Sequence, residues 1–497
     1  MPLPETIWRN ETHPGYQHDA VVMLPYLTAE QNLRAERVRQ CRMLFDGRHR
    51  AYFLSEGRTQ FNFPPMRVND RDIIPFVPLR VLRLLSFKSA DLVFGDKAKL
   101  SVDDAIKRMA LDALAKRSKV HSRFHAAAVA ASWAGGAFLL SCIWRGQAYV
   151  TNLPPDEVFP VGPATPDDQY ERYERYQVAT VGEGADAYKF LLKTIYTRGA
   201  VERHAYQLAK DNSIVREVDL KLWPGIEASY APMEQTGLAE NVITFVPNEL
   251  DGGECVSDYD GLVQTQDAIN ASMTQISRIN ALHAEPAMGI PQEMFDANGN
   301  INLNKYKAFP FRTKDEIPTY ITPQSNIDGA MADRKFKLEA FCVEAEISQI
   351  LLGVKEGAAP TAARTLRLEM TNSLAKAQRK RNNIEPAAER ALEVALMLDA
   401  ERPVGVFLGG APVSVEARDG LPIDELDEAS IVSTYRGSDS MSLEAAVERR
   451  VRDPDATAEE VRRIKEERAA ATPPILFGEP GETRGQPDEA EPAAMAA

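Results

Sequence analysis

Four consecutive stretches decide how this chain is read: SDYDGLVQTQDAINASMTQISRINALH (257–283), NIDGAMADRKFKLEAFCVEAEISQILL (326–352), GVKEGAAPT (353–361), and the run from Ala362 to Ala400 that contains Pro386. In the first, Leu262, Ile269, Met273, Ile276 and Ile279 recur at helical spacing after a Ser257–Asp260 capping pair. At 1.5 Å per residue this predicts a helix roughly 40 Å long that packs along its length. Residues 284–325 carry prolines and the turn signal DANGN, so an extended or strand-and-loop insert is expected there. Helix resumes after a second capping pair, Ser325 and Asp328, on Ile327, Met331, Phe336, Leu338, Phe341, Ile347, Ile350 and Leu351. Gly353, Val354, Lys355, Glu356, Gly357, Ala358, Ala359 and Pro360 interrupt it, and Thr361 restarts it. Pro386 removes one backbone donor but apolar spacing persists through Leu392, Leu396 and Leu398, so the rod bends there and continues.

Outward from that core, residues 28–47 predict a helix capped by Thr28 and stopped by Gly47. Residues 74–95 predict a second and 103–134 a third. The apolar run Phe124–Trp144 is broken at Gly135-Gly136 and rich in alanine, which fits a buried helix followed by a strand better than a membrane span. Between Arg175 and Val246 the pattern alternates with period two between turns, predicting a small antiparallel sheet. Residues 403–418 read as strand, and 422–434, 441–451 and 456–470 as short helices. From Pro473 the composition of Pro, Gly, Ala and acid cannot bury a core and is expected to be disordered. The fold class expected is α+β, mainly α.

Composition narrows function. The 497 residues carry a net charge of -14, with 44% hydrophobic and 26% charged residues. An acidic chain argues against a tight grip on nucleic acid, whose binding rests on basic side chains displacing counterions, but not against a surface that DNA slides past. Four cysteines far apart fit neither a zinc site nor a disulfide framework, and the first residues lack a secretory pattern. No phosphate-binding loop, dinucleotide fingerprint, HExxH or GxSxG is present. His121 and His125 have metal-ligand spacing without a completing ligand. The carboxylates Asp424, Glu425, Asp427 and Glu428 fit an exposed acidic face more readily than a Mg²⁺ site. No cofactor or metal is expected. Arg364, Arg367, Lys376, Arg379, Lys380 and Arg381 mark either a solvated face of the long helix or a face that meets acidic neighbours on another subunit.

Several segments resemble the portal proteins of tailed bacteriophages, in order along residues 30–470: FDGRHRAYF, LVFGDKAKLSV, LPPDEVFPV, FVPNELDGGECVSDYDGLVQTQDAIN, DGLPIDELDEAS and VRRIKEERAA. The resemblance implies a non-enzymatic, portal-like subunit. Residues 1–27 would be an N-terminal arm and 28–256 a wing of helices and a small antiparallel sheet. Residues 257–283 and 326–352 would be two stem helices, 284–325 a clip, and 353–361 a tunnel loop. Residues 362–422 would return to the wing as the kinked helix and strands, 423–470 would be a helical crown, and 471–497 a disordered tail. It further implies a homododecameric ring at one capsid vertex of the virion, assembled in the host cytoplasm. Double-stranded DNA would pass through without sequence readout, with no membrane involved. Its partners would be a terminase motor, head–tail adaptor, capsid and scaffolding proteins. The competing assembly is another phage ring scaffold such as a tail adaptor, and the competing chemistry a metal-dependent enzyme using the 424–428 carboxylates.

Overall fold

The computed structural model describes residues 24–49, 52, 67–68, 71–72, 77–166, 169–182, 188–224, 231–252, 254–284, 287–289, 319–321, 327–354, 363–400, 412–421, 425–451 and 454–471. The chain divides into two compact units, Met1–Asp424 and Glu425–Ala497.

Helix α1 (Ala29–Phe45) starts at the expected Thr28 cap, which Gln31 completes as a reciprocal capping box. The buried Asn32 side chain ties down the preceding turn, accepting from Leu24 N at 2.8 Å and donating to the Leu24, Leu27 and Thr28 carbonyls. Helix α2 (Val81–Phe94) begins seven residues later than the periodicity suggests. Pro75 and Pro78 explain the delay, since each lacks a donor and disfavours helix in the residue before it. The single helix expected over 103–134 is two, α3 (Ala105–Ser118) and α4 (Val120–Ala134), divided at Lys119 in the left-handed region (φ 53°). No helix of the described residues is long and apolar enough to cross a membrane, and the apolar run at 124–144 is indeed helix then strand.

Two antiparallel sheets follow. In the first, strand β4 (Gly136–Trp144) lies between β5 (Gln147–Leu153) and β12 (Ile243–Pro247). Residues 136–139 are buried at successive positions, as a strand covered on both faces requires. The second, in spatial order, is β10 (Ile214–Val218), β9 (Ala200–Leu208), β8 (Tyr188–Thr197), β7 (Arg172–Val181) and β6 (Val158–Val161), with β11 (Met233–Gln235) also on β9. The sheet expected between 175 and 246 is therefore real, but its last strand, β12, joins the other sheet.

The long helix anchors this unit. It is α8 (Thr371–Ala400), preceded by α7 (Ala363–Glu369), and it continues unbroken through Pro386. Ala387, Ala388, Ala391, Leu392, Val394 and Ala395 bury one side of it in the main core, against β4, β5 and β12. It also contacts α2 and strand β17 (Ser414–Arg418), which pairs with β3 (Asp96–Ser101) along one edge. On the open edge, the amides of Val413, Val415 and Ala417 donate to the carboxylates of Glu393, Glu389 and Glu385 at 2.9, 2.9 and 2.8 Å. The periods match: four helical residues advance about 6.0 Å and two strand residues about 6.8 Å. A row of glutamates thus takes up the amides that a further strand would otherwise pair with. The connection is tight at Gly95 and Gly420, where a Cβ on Gly95 would lie 2.4 Å from Gly420 N.

The second unit contains α9 (Glu425–Gly437), α10 (Leu443–Val451) and α11 (Pro454–Ala471), with Ala446, Val447 and Val461 buried. Together these elements make an α+β fold, mainly α. The side chains of residues 424–428 and the segments 1–23 and 472–497 lie outside the described residues.

Candidate functional site: a helical hairpin tied to the long helix

The stretch from 257 onward folds as a hairpin of two helices, α5 (Val263–Ala284) and α6 (Ile327–Glu344). The Ser257–Asp260 capping pair forms, with Ser257 N donating to Asp260 at 2.9 Å, but it closes a turn that precedes the helix. Gly261, at φ 82°, then reverses the backbone before α5 begins. Side chains link the helices in antiparallel order. Thr265 donates to Glu344 at 2.6 Å, Ser272 to Asp333 at 2.6 Å, Lys337 to Ser272 at 2.9 Å, and Arg334 to the Met273 sulfur at 3.6 Å. Beyond the helices a strand pair, β15 (Ala287–Gly289) with β16 (Thr319–Ile321), continues the hairpin. The rest of the insert expected over 284–325 lies outside the described residues.

The inner face of α5 is polar, which its apolar stripe does not suggest. Gln266, Asn270 and Thr274, one turn apart and buried, accept from the amides of Leu82 (3.2 Å), Leu79 (2.8 Å) and Val77 (3.2 Å). These are backbone groups of the proline-delayed segment before α2 and of its first turn, which has no side-chain cap of its own. The hairpin is therefore fastened by hydrogen bonds to backbone that would otherwise be buried without partners.

Helix α6 ends at Glu344, earlier than the expected 352. The Ile347 amide reaches back to Cys342 O (2.9 Å) and the Glu346 amide to Val343 O (3.1 Å), with Glu346 in the left-handed region (φ 53°). This is a Schellman closure without glycine, so the sequence gives no stop signal. Lys376 of α8 donates to Ala345 O at 3.0 Å, placing a cation at the negative end of α6, and Ser348 N donates to Ser373 Oγ at 2.7 Å. Both bonds fix the chain just before residues 353–361. Of that expected tunnel loop, Gly353 and Val354 are described, with the Val354 amide bonded to Gln349 O at 2.9 Å. Lys355, Glu356, Gly357, Ala358, Ala359 and Pro360 lie outside the described residues.

The root of the hairpin is a buried charge cluster. Asp258 accepts from Lys380, from Ser132 Oγ (2.5 Å) and from Asn248 Nδ2 (3.1 Å), and Lys376 stands 3.5 Å away. Lys380, only 2% exposed, also donates to Ser89 Oγ at 2.8 Å. Burial pushes the Asp258 carboxyl upward, but Lys380 and Lys376 outweigh it and hold it well below the usual carboxylate range. The pair stays ionised because either charge alone would be stranded in the core.

Of the six basic residues expected to mark one face, the five whose side chains are described engage different partners within the subunit. Lys376 and Lys380 turn into the subunit's own core. Arg379 pairs with Glu249 (3.0 Å) and Glu346 (2.6 Å), Arg367 with Asp419 (3.2 Å), and Arg381 donates to Leu92 O (2.5 Å). The Arg364 side chain lies outside the described residues. Three large apolar side chains of α6 remain exposed among its polar ones, Met331, Phe336 and Val343 at 48%, 69% and 76%, while Phe341 and Cys342 are the residues of that helix that are buried among the described ones. His125 bonds Asp91 at 3.0 Å, His121 accepts from Ala98 N at 3.2 Å, and no group of three metal-binding side chains occurs among the described residues.

Asp258 escaped the sequence reading because its neighbours Ser257 and Asp260 absorbed the capping signal. A usable sign was present in α8, where Lys376 and Lys380 share a helical face with Ala377, Ile384, Ala387 and Ala391. Cations at positions on an apolar stripe call for a buried anion.

Solved structures that resemble the chain include three from gene transfer agent particles. One, "Virion of native gene transfer agent (GTA) particle", has 12% identity over 84% of this chain and 92% of that chain, with a TM-score of 0.42. "Neck of native GTA particle computed with C12 symmetry" has 12% identity over 74% and 88%, and a TM-score of 0.40. "Neck of empty GTA particle computed with C6 symmetry" has 13% identity over 75% and 88%, and a TM-score of 0.40. No curated protein matches the chain. The family described as "Phage portal protein, SPP1 Gp6-like" matches residues 26–474, nearly the whole length, and the chain belongs to that family of phage portal proteins.

Proposed function

We propose that twelve copies of this chain close into a ring at one capsid vertex, and that the α5–α6 hairpin with residues 353–361 lines its channel. The observation that carries the reading is the exposed apolar pair Phe336 and Val343, two turns apart on one face of α6. It stands on a hairpin whose other helix is fixed within the subunit by buried hydrogen bonds. In a ring of heterologous contacts such a pair would lie against a different face of the next copy. The segment 284–325 is the docking element for a terminase motor during packaging and for a head–tail adaptor afterwards, while capsid and scaffolding proteins meet the outer parts. The role is structural, in the virion and, during assembly, in the host cytoplasm. Double-stranded DNA passes without being held, because a chain of net charge -14 offers it few paired contacts.

The loop is the part of this reading closest to DNA. Lys355→Glu, or deletion of Gly357 to Ala359, is expected to leave rings intact by electron microscopy while lowering the amount of DNA packaged and retained. Normal packaging by both variants would remove the loop from the mechanism.

A further inference from the structure

The chain holds a cavity of about 680 Å³ away from the hairpin, between the β4–β5 sheet and the larger sheet. Its size falls in the range of small-molecule sites. The lining is basic in an acidic protein: Arg117, Lys119, Arg123, Arg175 and Arg203 against Glu234 alone, where the whole chain carries -14.

Three of those cations are already engaged. Arg117 donates to Ala148 O at 2.7 Å and pairs with Asp399, Arg175 pairs with Glu157 at 2.6 Å, and Arg203 with Glu234 at 2.9 Å. Lys119 and Arg123 are exposed and make no ion pair among the described residues. They flank the start of α4, a helix of 15 residues with no side-chain cap and no acidic residue in its first turn. Lys119 is at once the last cap of α3 and the first of α4, and with Arg123 it stands beside the uncapped amides of the first turn of α4, which favour an anion. The lining also carries aromatic side chains: Trp144 and Tyr149, whose rings meet edge to face at 5.7 Å, and Trp223. The Arg145 guanidinium lies over one face of Trp144 at 4.3 Å, and Arg117 over Tyr149 at 6.0 Å.

We propose that this cavity binds a small organic anion carrying both a phosphate and a planar ring, with a nucleoside monophosphate as the representative. Lys119 and Arg123 take the phosphate, and the ring lies against the Trp144, Tyr149 and Trp223 surface. A peptide carboxylate lacks the planar group that these three side chains suit, and phosphate alone leaves them uncovered. The site is independent of the channel reading and stands whether or not the loop at 353–361 contacts DNA.

The test is tryptophan fluorescence of the full-length protein titrated with AMP, adenosine, ribose 5-phosphate and inorganic phosphate. Two of the four tryptophans line the cavity, so occupancy reports directly. Saturable quenching by AMP is expected, with adenosine and inorganic phosphate each weaker by about tenfold or more. Lys119→Glu with Arg123→Glu should weaken AMP by about a hundredfold while leaving the melting midpoint unchanged, because both side chains are exposed. Arg123→Gln alone, the milder change, should cost about tenfold. Absence of saturation up to about 10 mM AMP, or equal AMP affinity in the variants, overturns the proposal. Inorganic phosphate or ribose 5-phosphate matching AMP overturns the assignment of a ring-bearing ligand.

Discussion

Removing Asp258 should be among the most damaging single changes in the chain. Asp258→Ala leaves Lys380 and Lys376 buried without their shared carboxylate, and Lys380→Met leaves Asp258 with Ser132, Asn248 and the more distant Lys376. Breaking a buried pair from one side costs about 3–5 kcal/mol. Unfolding entropy scales at about 2.1 cal/mol/K per residue, so for a unit of roughly 400 residues 4 kcal/mol lowers the melting midpoint by about 5 °C. Combining Asp258→Leu with Lys380→Met removes both charges and should recover more than half of that loss, because neither partner is then stranded. Acid supplies a second arm. The folded-state pKa of Asp258 lies below its unfolded value, so its contribution is complete at neutral pH. It is lost as pH falls from about 4 through the lower folded value, and the gap between wild type and Asp258→Asn should narrow over that window. Differential scanning fluorimetry from pH 7 to pH 3 reads both arms. Midpoints of the single variants within about 1 °C of wild type, or a double variant that loses the sum of the two, would refute the reasoning.

Glu389→Ala should orphan the Val415 amide on the open edge of β17, costing about 1–3 kcal/mol and raising hydrogen exchange at 413–417; unchanged protection there would mean that the glutamate row is incidental. Phe336→Asp places a charge on the same exposed face of α6 as Val343, and is expected to leave the subunit folded, with a midpoint shift under about 1 °C, while blocking ring formation in mass-resolved sizing. Full-size rings from that variant would move the subunit contact elsewhere.

Much of the architecture was legible because local chemistry specified it. Thr28 marked a helix start, Gly135-Gly136 separated α4 from β4, and the alternation after Arg175 marked strands. The differences have two causes. Pro75 and Pro78 delay α2, while the division at Lys119 and the stop after Glu344 each put a residue other than glycine in the left-handed region, where the sequence carries no stop signal. Of the candidate site, the order helix, insert, helix, loop and long helix could be read, but the roles of the basic residues could not. Lys380 and Arg379 are adjacent and chemically alike, yet one is buried against Asp258 and the other half-exposed between Glu249 and Glu346.

By itself, the sequence determined which segments are helix or strand, the acidic balance, and the ordered motifs shared with phage portal proteins, because capping, periodicity and charge are properties of neighbours along the chain. The tertiary structure decided which polar side chains are structural. Gln266, Asn270 and Thr274, and likewise Glu385, Glu389 and Glu393, lie one helical turn apart and read as solvated faces. Each row satisfies the backbone of a segment remote in sequence, and only folding brings those donors within hydrogen-bond reach.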